Sequence, residues 1–225
     1  MIGNGMIGNG MIGNGMIGSG MIGARASMLL RILGACAASA WLALPPAHAD
    51  DSTIVIVRHA EKPAQGLGQL SCRGLNRALA LAPVLLARYG RPAAIYAPNP
   101  AQKKMDKGNS YAYIRPLATI EPLAIRAGIP VNLDWGMADT RQLAGALLAQ
   151  SGGTQVVAWE HHMVPKLARE LLADINGSQA DVPDWRDGDF DSIFVIRITG
   201  AGKDRHAAFS VENEGLNDQP DKCSP

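Results

Sequence analysis

The stretch TIVIVRHAEKP, residues 53–63, delivers a cation and an imidazole, Arg58 and His59, straight out of a run of β-branched apolar residues. A second stretch, TQVVAWEHH at 154–162, ends in the same way, on Glu160, His161 and His162. A third, YIRPLATIEPLAIRAG at 113–128, sets Arg115 directly before Pro116, a residue suited to a first helical position. A helix start presents free N–H groups and a partial positive charge, which attracts anions. An arginine adds a planar fork matched to phosphate oxygens. Imidazoles at strand ends with arginine forks beside them are equipment for chemistry on a bound anion.

Those groups need elements to hold them. Strands are expected at 53–57, 93–96, 155–159, 193–198 and 206–211. The first and third lack in/out alternation, which predicts strands covered on both faces, as in a parallel sheet. Ser71 is placed to cap a helix that presents Leu75, Leu79, Ala82 and Leu86 on one apolar face, bends at Pro83 and stops at Gly90. Further helices are expected from Pro116, over 138–149 and over 164–173, and TGAGKDR joins the last two strands as a hairpin. Alternating strands and helices give a three-layer α/β/α sandwich with a mostly parallel central sheet. In such sheets ligands gather at the carboxyl ends of the strands, where His59 and His161 fall.

The N-terminal part is read apart from the fold. Residues 1–25 repeat a pentapeptide of the MIGNG type, and 1–27 read as low-complexity sequence, a repeated coding stretch translated from too early a start, with Met21 or Met28 the true beginning. Residues 28–49 read as a secretory signal peptide: Arg25 and Arg31 supply positive charge, 32–44 an apolar run, and Ala47-His48-Ala49 a small-x-small cleavage site. That apolar run is shorter than the roughly 20 residues of a spanning helix. LGAC at 33–36 offers a rival lipoprotein processing box, with Arg31 set too close to it. The mature chain is then 50–225, one domain, periplasmic or secreted, with no stable membrane insertion.

Removing Arg25 and Arg31 leaves 19 basic against 20 acidic residues, a net charge of −1. That balance argues against nucleic acid or an anionic membrane as main partner. Cys72 and Cys223 remain, able to pair in an exported protein or to stand as two unrelated thiols, and no cysteine spacing suits a metal. Lys103, Lys104 and Lys107 in QKKMDKGN read as a solvated loop that could also steer anions. VPDWRDGDFDS holds five aspartates, Asp181, Asp184, Asp187, Asp189 and Asp191, without calcium-loop spacing, and Trp185 there reads as a packing anchor.

Four segments in order resemble the histidine phosphatase superfamily, the phosphoglycerate-mutase-like fold, over essentially all of 50–225. RHAEKP resembles the Arg-His-Gly signature, and LSCRGLNRALAL the helix that follows it. RPLATIEPLA resembles the segment carrying a second phosphate arginine, and VVAWEHHMVPKLA the strand and loop carrying a second histidine. The resemblance implies a phosphomonoesterase acting on a small phosphorylated substrate through a phosphohistidine, with no metal or other cofactor. His59 matches the nucleophile, Arg58 and Arg115 the phosphate clamp, and His161 the second pocket histidine. Ala60 replaces the signature glycine, and Lys62 stands where one branch has another phosphate arginine.

The leaving group needs a proton donor, for which Glu61, Asp134, Glu160 and His162 are candidates. Three other readings stand beside the phosphatase. One is a phosphomutase, and another a catalytically idle anion-binding envelope module. The third is a metallohydrolase on His161-His162, disfavoured because adjacent histidines after a strand should diverge.

The export reading makes a direct prediction: mass spectrometry of the secreted protein gives Asp50 as its first residue. A mature chain that keeps the pentapeptide repeats contradicts export, and a lipid on Cys36 establishes the lipoprotein rival.

Overall fold

Burial on both faces is what the unbroken apolar run at 53–57 demands, and the strand it forms, β1 (Ser52–Arg58), meets that demand near the middle of a sheet. The computed structural model describes residues 51–223. The repeat at 1–27, the signal peptide at 28–49 and the cleavage point after Ala49 lie outside the described residues. In chain order after β1 come α1 (Cys72–Tyr89), β2 (Ala94–Tyr96), the pair β3 (Lys103–Asp106) and β4 (Asn109–Ala112), and α2 (Arg115–Ala127). There follow β5 (Val131–Asn132), α3 (Thr140–Ala149), β6 (Gly153–Trp159), α4 (Met163–Ala173), β7 (Ser192–Thr199) and β8 (His206–Asn213).

Six strands form the main sheet in the order β5-β2-β6-β1-β7-β8. β5, β2, β6 and β1 run parallel, and β7 and β8 close the far side as an antiparallel hairpin. Side chains of β1 alternate between two cores. Val55 and Val57 meet Leu81 and Leu85 of α1 and Ile120 and Leu123 of α2. Ile54 and Ile56 share the opposite core with Leu143 and Leu147 of α3 and Leu167 and Leu171 of α4. The observed architecture is therefore the expected three-layer sandwich. Each fully buried aliphatic side chain contributes about 1.5–3 kcal/mol by leaving water. Among the described residues no helix is long and apolar enough to cross a membrane.

Helix α1 begins and ends as expected: Ser71 Oγ accepts from the Gly74 N–H, and Gly90 caps the other end. Its buried face is different. Leu75 and Leu79 are 41% and 43% exposed, whereas Gly74, Arg77, Ala78, Leu81, Ala82 and Leu85 face inward. The helix is turned by its first two turns. A side chain at Gly74 would meet the Glu61 carbonyl oxygen at 2.2 Å, so α1 can lie against the backbone after His59 only with glycine there. Arg77 then points into a group of carboxylates. Its Nε and Nη2 donate to Glu61 at 3.0 and 2.9 Å and its Nη1 to Glu214 at 2.7 Å, with Asp191 beside it. One guanidinium shares three carboxylates, and burial with the charges of Asp191 and Glu61 pushes Glu214 up to about 8 against the pull of Arg77.

The stretch Gln102–Asn109, expected as a loop, is instead largely the β3–β4 hairpin. Lys107 and Gly108 both take positive φ, +50° and +86°, as a two-residue type I′ turn requires.

The C-terminal tail folds back over the start of α1. Cys72 and Cys223 form a disulfide with Cα atoms 4.6 Å apart. Asn76 Nδ2 donates to the carbonyls of Pro220 and Lys222 at 2.9 and 2.8 Å. A bridge across 151 residues of sequence separation removes about 3–5 kcal/mol of unfolded-state freedom in the chain-entropy model. The protein beginning at Asp50, denatured without reductant, should titrate no free thiol, and Cys72→Ser should lower its stability by that amount. Two free thiols would show that the bridge does not form in solution.

Candidate active site

Parallel pairing of β1 with β6 fixes the site. Arg58 sits opposite Trp159, and the His59 N–H donates to the Trp159 carbonyl at 3.0 Å. The next residues of each chain, Ala60 on one side and Glu160-His161-His162 on the other, therefore leave the sheet at one rim. The start of α2 is tied to the same point. The Thr119 hydroxyl donates to the Arg115 carbonyl at 2.8 Å and accepts from the Ala60 N–H at 2.9 Å. Ala60 is not among the described residues with positive φ, so alanine serves where the signature has glycine.

His59 is 2% exposed. Its Nδ1 lies 2.8 Å from the Ala60 carbonyl oxygen, an atom that can only accept, so Nδ1 carries the proton and Nε2 keeps its lone pair. Burial first, then the charges of Arg115, Arg58 and His161, lower its pKa to about 3 against the pull of the Ala60 carbonyl. The imidazole is neutral at working pH.

Each of the two arginines beside it is anchored through one nitrogen. Arg58 Nη1 donates to the carbonyls of Asp187 and Asp189 at 2.6 and 2.7 Å, and its guanidinium lies 3.9 Å from the Phe190 ring centroid. Burial lowers its pKa to about 10, which leaves it charged at neutral pH. Arg115 Nη1 donates to Asp106 Oδ2 at 2.6 Å, and Lys62 Nζ donates to the other oxygen of Asp106 at 2.9 Å. Burial alone would raise Asp106, but Lys62 and Arg115 hold it below the usual carboxylate range. Both guanidiniums are nearly inaccessible, and the Nε of each is buried without a hydrogen-bond partner.

The second histidine lies across from the first. The His59 and His161 rings are 6.3 Å apart and nearly perpendicular. His161 Nε2 meets Asp187 Oδ1 at 3.0 Å, and its Nδ1 lies 3.1 Å from Glu160 Oε1. The His162 ring lies against that of His161, tilted by 38° with centroids 3.9 Å apart. The expected divergence of these histidines is thus corrected. The chain turns at once into α4, and His162 is already helical (φ −73°, ψ −24°), so successive side chains no longer alternate across a strand.

Among the described residues Glu160, His161 and His162 have ligand atoms within 4.8 Å of one another, close enough to hold a metal. The carboxylate is already committed, however. Glu160 accepts from Lys104 at 2.8 Å and from the N–H groups of His162 and Met163 at 2.9 and 3.2 Å. A metal there would have to displace Lys104.

The proton-donor candidates separate on the same grounds. Glu61 is held by Arg77 and Arg73 in the cluster under α1. Glu160, despite its burial, is held well below the carboxylate range by His161 and Lys104, so it accepts and does not donate. Asp134 accepts from Asn132 at 3.0 Å and touches none of the pocket residues among its hydrogen bonds. His162 stays at the rim, its side chain 62% exposed, beside His161 and 3.8 Å from Asp187. Three groups at the site went unrecognised in the sequence. Asp187 belongs to an acidic run with no spacing signal, Asp106 lay in a stretch expected to be solvated, and Tyr113 is an aromatic two residues before Arg115.

No protein-family model matches the chain, and no curated protein matches it in sequence. Among solved structures, one similar chain is the candidate phosphohistidine phosphatase SixA of Nakamurella multipartitia, at 19% identity and a TM-score of 0.46, covering 72% of this chain and 95% of its own. Another is the candidate SixA of Agrobacterium tumefaciens, at 17% identity and a TM-score of 0.44, covering 70% and 97%. A third is a mycobacterial glucosyl-3-phosphoglycerate phosphatase in complex with inorganic phosphate, at 19% and 0.38, covering 71% and 95%. Likeness at that level bears on neither substrate nor mechanism, which rest on the side chains themselves.

The setting of His59 has a direct spectroscopic consequence. In protein labelled at histidine carbon, its ring should titrate near pH 3, well below the ordinary value of 6.5. A midpoint near 6.5 would show that the ring is solvated and that the two arginines do not act on it.

Proposed function

We propose that this chain is an exported, metal-independent phosphomonoester hydrolase of the histidine phosphatase superfamily, working through a phosphohistidine. One observation carries the reading. A neutral imidazole with a bare Nε2 stands by two buried guanidiniums, each fixed by its Nη1 and each with an unpartnered Nε. Unmatched buried donors of that kind suit an anion with several acceptor oxygens.

In the first step His59 Nε2 forms a bond to phosphorus as the bond to the ester oxygen breaks, so one difficult displacement becomes two easier ones. Arg58 and Arg115 balance charge on the non-bridging oxygens, a role that fixed cations can fill by being in place beforehand. Proton delivery to the leaving oxygen is assigned to His162, the sequence candidate that is both beside the pocket histidine and open to solvent. Water then attacks phosphorus from the side the alcohol has left, a proton of that water returns to His162, the P–N bond breaks, and inorganic phosphate departs. Lys62 joins the clamp as a point charge shared with Asp106.

A second reading, an idle anion-binding module, has one observation in its favour: the Asp106 carboxylate already occupies Lys62 and Arg115. Turnover separates the two. The mature protein should hydrolyse p-nitrophenyl phosphate, and His59→Ala should abolish this with the fold intact. Arg115→Ala should cost about 10²–10³ in rate. Loss of His162 should hurt alkyl phosphates more than aryl phosphates, whose leaving group needs little protonation. Chelators should change nothing. Enzyme quenched in alkali should retain a labelled phosphoryl group that acid removes, as a phosphoramidate does. Full activity in His59→Ala, or complete loss with chelator, would overturn the proposal and favour a metal at Glu160-His161-His162.

A further inference from the structure

Of the seven buried side-chain polar atoms that lack a well-formed hydrogen bond among the described residues, four belong to residues around His59: Arg58 Nε, Arg115 Nε, the Tyr113 hydroxyl, and His161 Nδ1, which sits beside Glu160 Oε1 without hydrogen-bond geometry. The two arginines and His161 have a place in the phosphatase reading. Tyr113 does not. It lies in the short link between β4 and α2, where its N–H donates to the Gln102 carbonyl at 3.1 Å, and the residue is 2% exposed. Its ring stands edge-on to His59 with centroids 6.1 Å apart. The Arg115 guanidinium lies 5.1 Å from the ring centroid and Lys104 Nζ 5.3 Å from it. The ring thus has His59, Arg115 and Lys104 around it, and the charges of Glu160, Arg115 and Arg58 all act on its hydroxyl.

A buried hydroxyl with no well-formed hydrogen bond is costly, and the Tyr113 hydroxyl has only the neighbouring Arg115 guanidinium to set against the water it gives up. Neighbouring Tyr111 is only half-buried, so the pattern is not a property of this hairpin's tyrosines in general. Resting on the phosphatase reading, we propose that the Tyr113 hydroxyl is a catalytic residue, the third donor to the phosphoryl group at His59, completing with Arg58 Nε and Arg115 Nε a set of three for three non-bridging oxygens. The residue acts as a donor and does not give up its proton. Burial, reinforced by the charge of Glu160, holds the phenol above its ordinary range, so it stays protonated wherever the enzyme works. No bond to its oxygen forms or breaks in either step.

Tyr113→Phe tests this, because it removes one oxygen and keeps the ring against His59. Inhibition by vanadate and by inorganic phosphate should weaken by about 10- to 100-fold, the scale of a hydrogen bond to a charged group. The kcat/KM values for p-nitrophenyl phosphate and for an alkyl phosphate should fall together by a similar factor. The melting temperature of the free enzyme should stay level or rise, since the variant removes a buried hydroxyl that had no well-formed hydrogen bond, whereas a merely structural tyrosine would lower it. Unchanged vanadate affinity in the variant, with a wild type that hydrolyses and binds vanadate, overturns the assignment and leaves the phosphatase reading standing. A loss confined to the alkyl phosphate also overturns it, by making Tyr113 the proton donor. If the wild type neither hydrolyses nor binds vanadate, the phosphatase reading fails and the assignment fails with it.

Discussion

The register between β1 and β6 is the constraint on which the site depends. With Arg58 opposite Trp159, two chain segments more than ninety residues apart in sequence reach the same rim at the same height. A slip of one residue would turn Arg58 into the other face of the sheet and bury a cation among the aliphatics of a helix layer. The two apolar cores hold the register, since Val55 and Val57 serve one face and Ile54 and Ile56 the other. Packing far from the chemistry thus sets the distance between the two imidazoles.

Among the described residues three guanidiniums lie almost wholly out of water, and they differ in how fully they are matched. Arg77 has acceptors on Nε, Nη1 and Nη2 and serves to dock α1 against the loop after His59. Arg58 and Arg115 are matched through Nη1 and left unmatched at Nε. Burying a charge is tolerable when it is paired, and an incomplete match is a cost that a folded chain keeps for a purpose. The contrast separates an arginine whose donors are all met within the fold from two that keep a donor free for something else. The anchors differ as well. Carbonyl oxygens hold Arg58, with Glu160 and Asp187 within range of its charge, whereas the Asp106 carboxylate binds Arg115 and Lys62 directly. The clamp is therefore asymmetric in its anchors, with backbone carbonyls on the Arg58 side and a shared carboxylate on the Arg115 side.

Much of this was legible in the residues, and what was not had physical reasons. Unbroken β-branched runs announced strands with two covered faces, and the arginine and histidine positions followed from strand ends. The face of α1 was misread because its inward positions include Gly74 and Arg77, a missing side chain and a charge, which no search for apolar periodicity selects. The β3–β4 hairpin escaped because its inward residues, Lys104 and Asp106, are both charged, and because a lysine precedes the turn glycine where asparagine or aspartate is the usual signal. The anchoring of Arg58 comes from backbone carbonyls, which every residue has and no sequence pattern marks. An unmatched hydroxyl such as that of Tyr113 exists only once its surroundings do.

The covalent ring closed by Cys72 and Cys223 contains every strand of the main sheet except β1. The strand that leads into His59 is therefore a guest in a slot between β6 and β7, both of which belong to the ring. During synthesis this apolar segment emerges before all its partners and waits for about a hundred residues before β6 arrives. Folding cannot be completed from the front of the chain. β1 can complete its pairing only once β6 and β7 exist, so the rim at its end takes shape with the middle of the sheet and not before it.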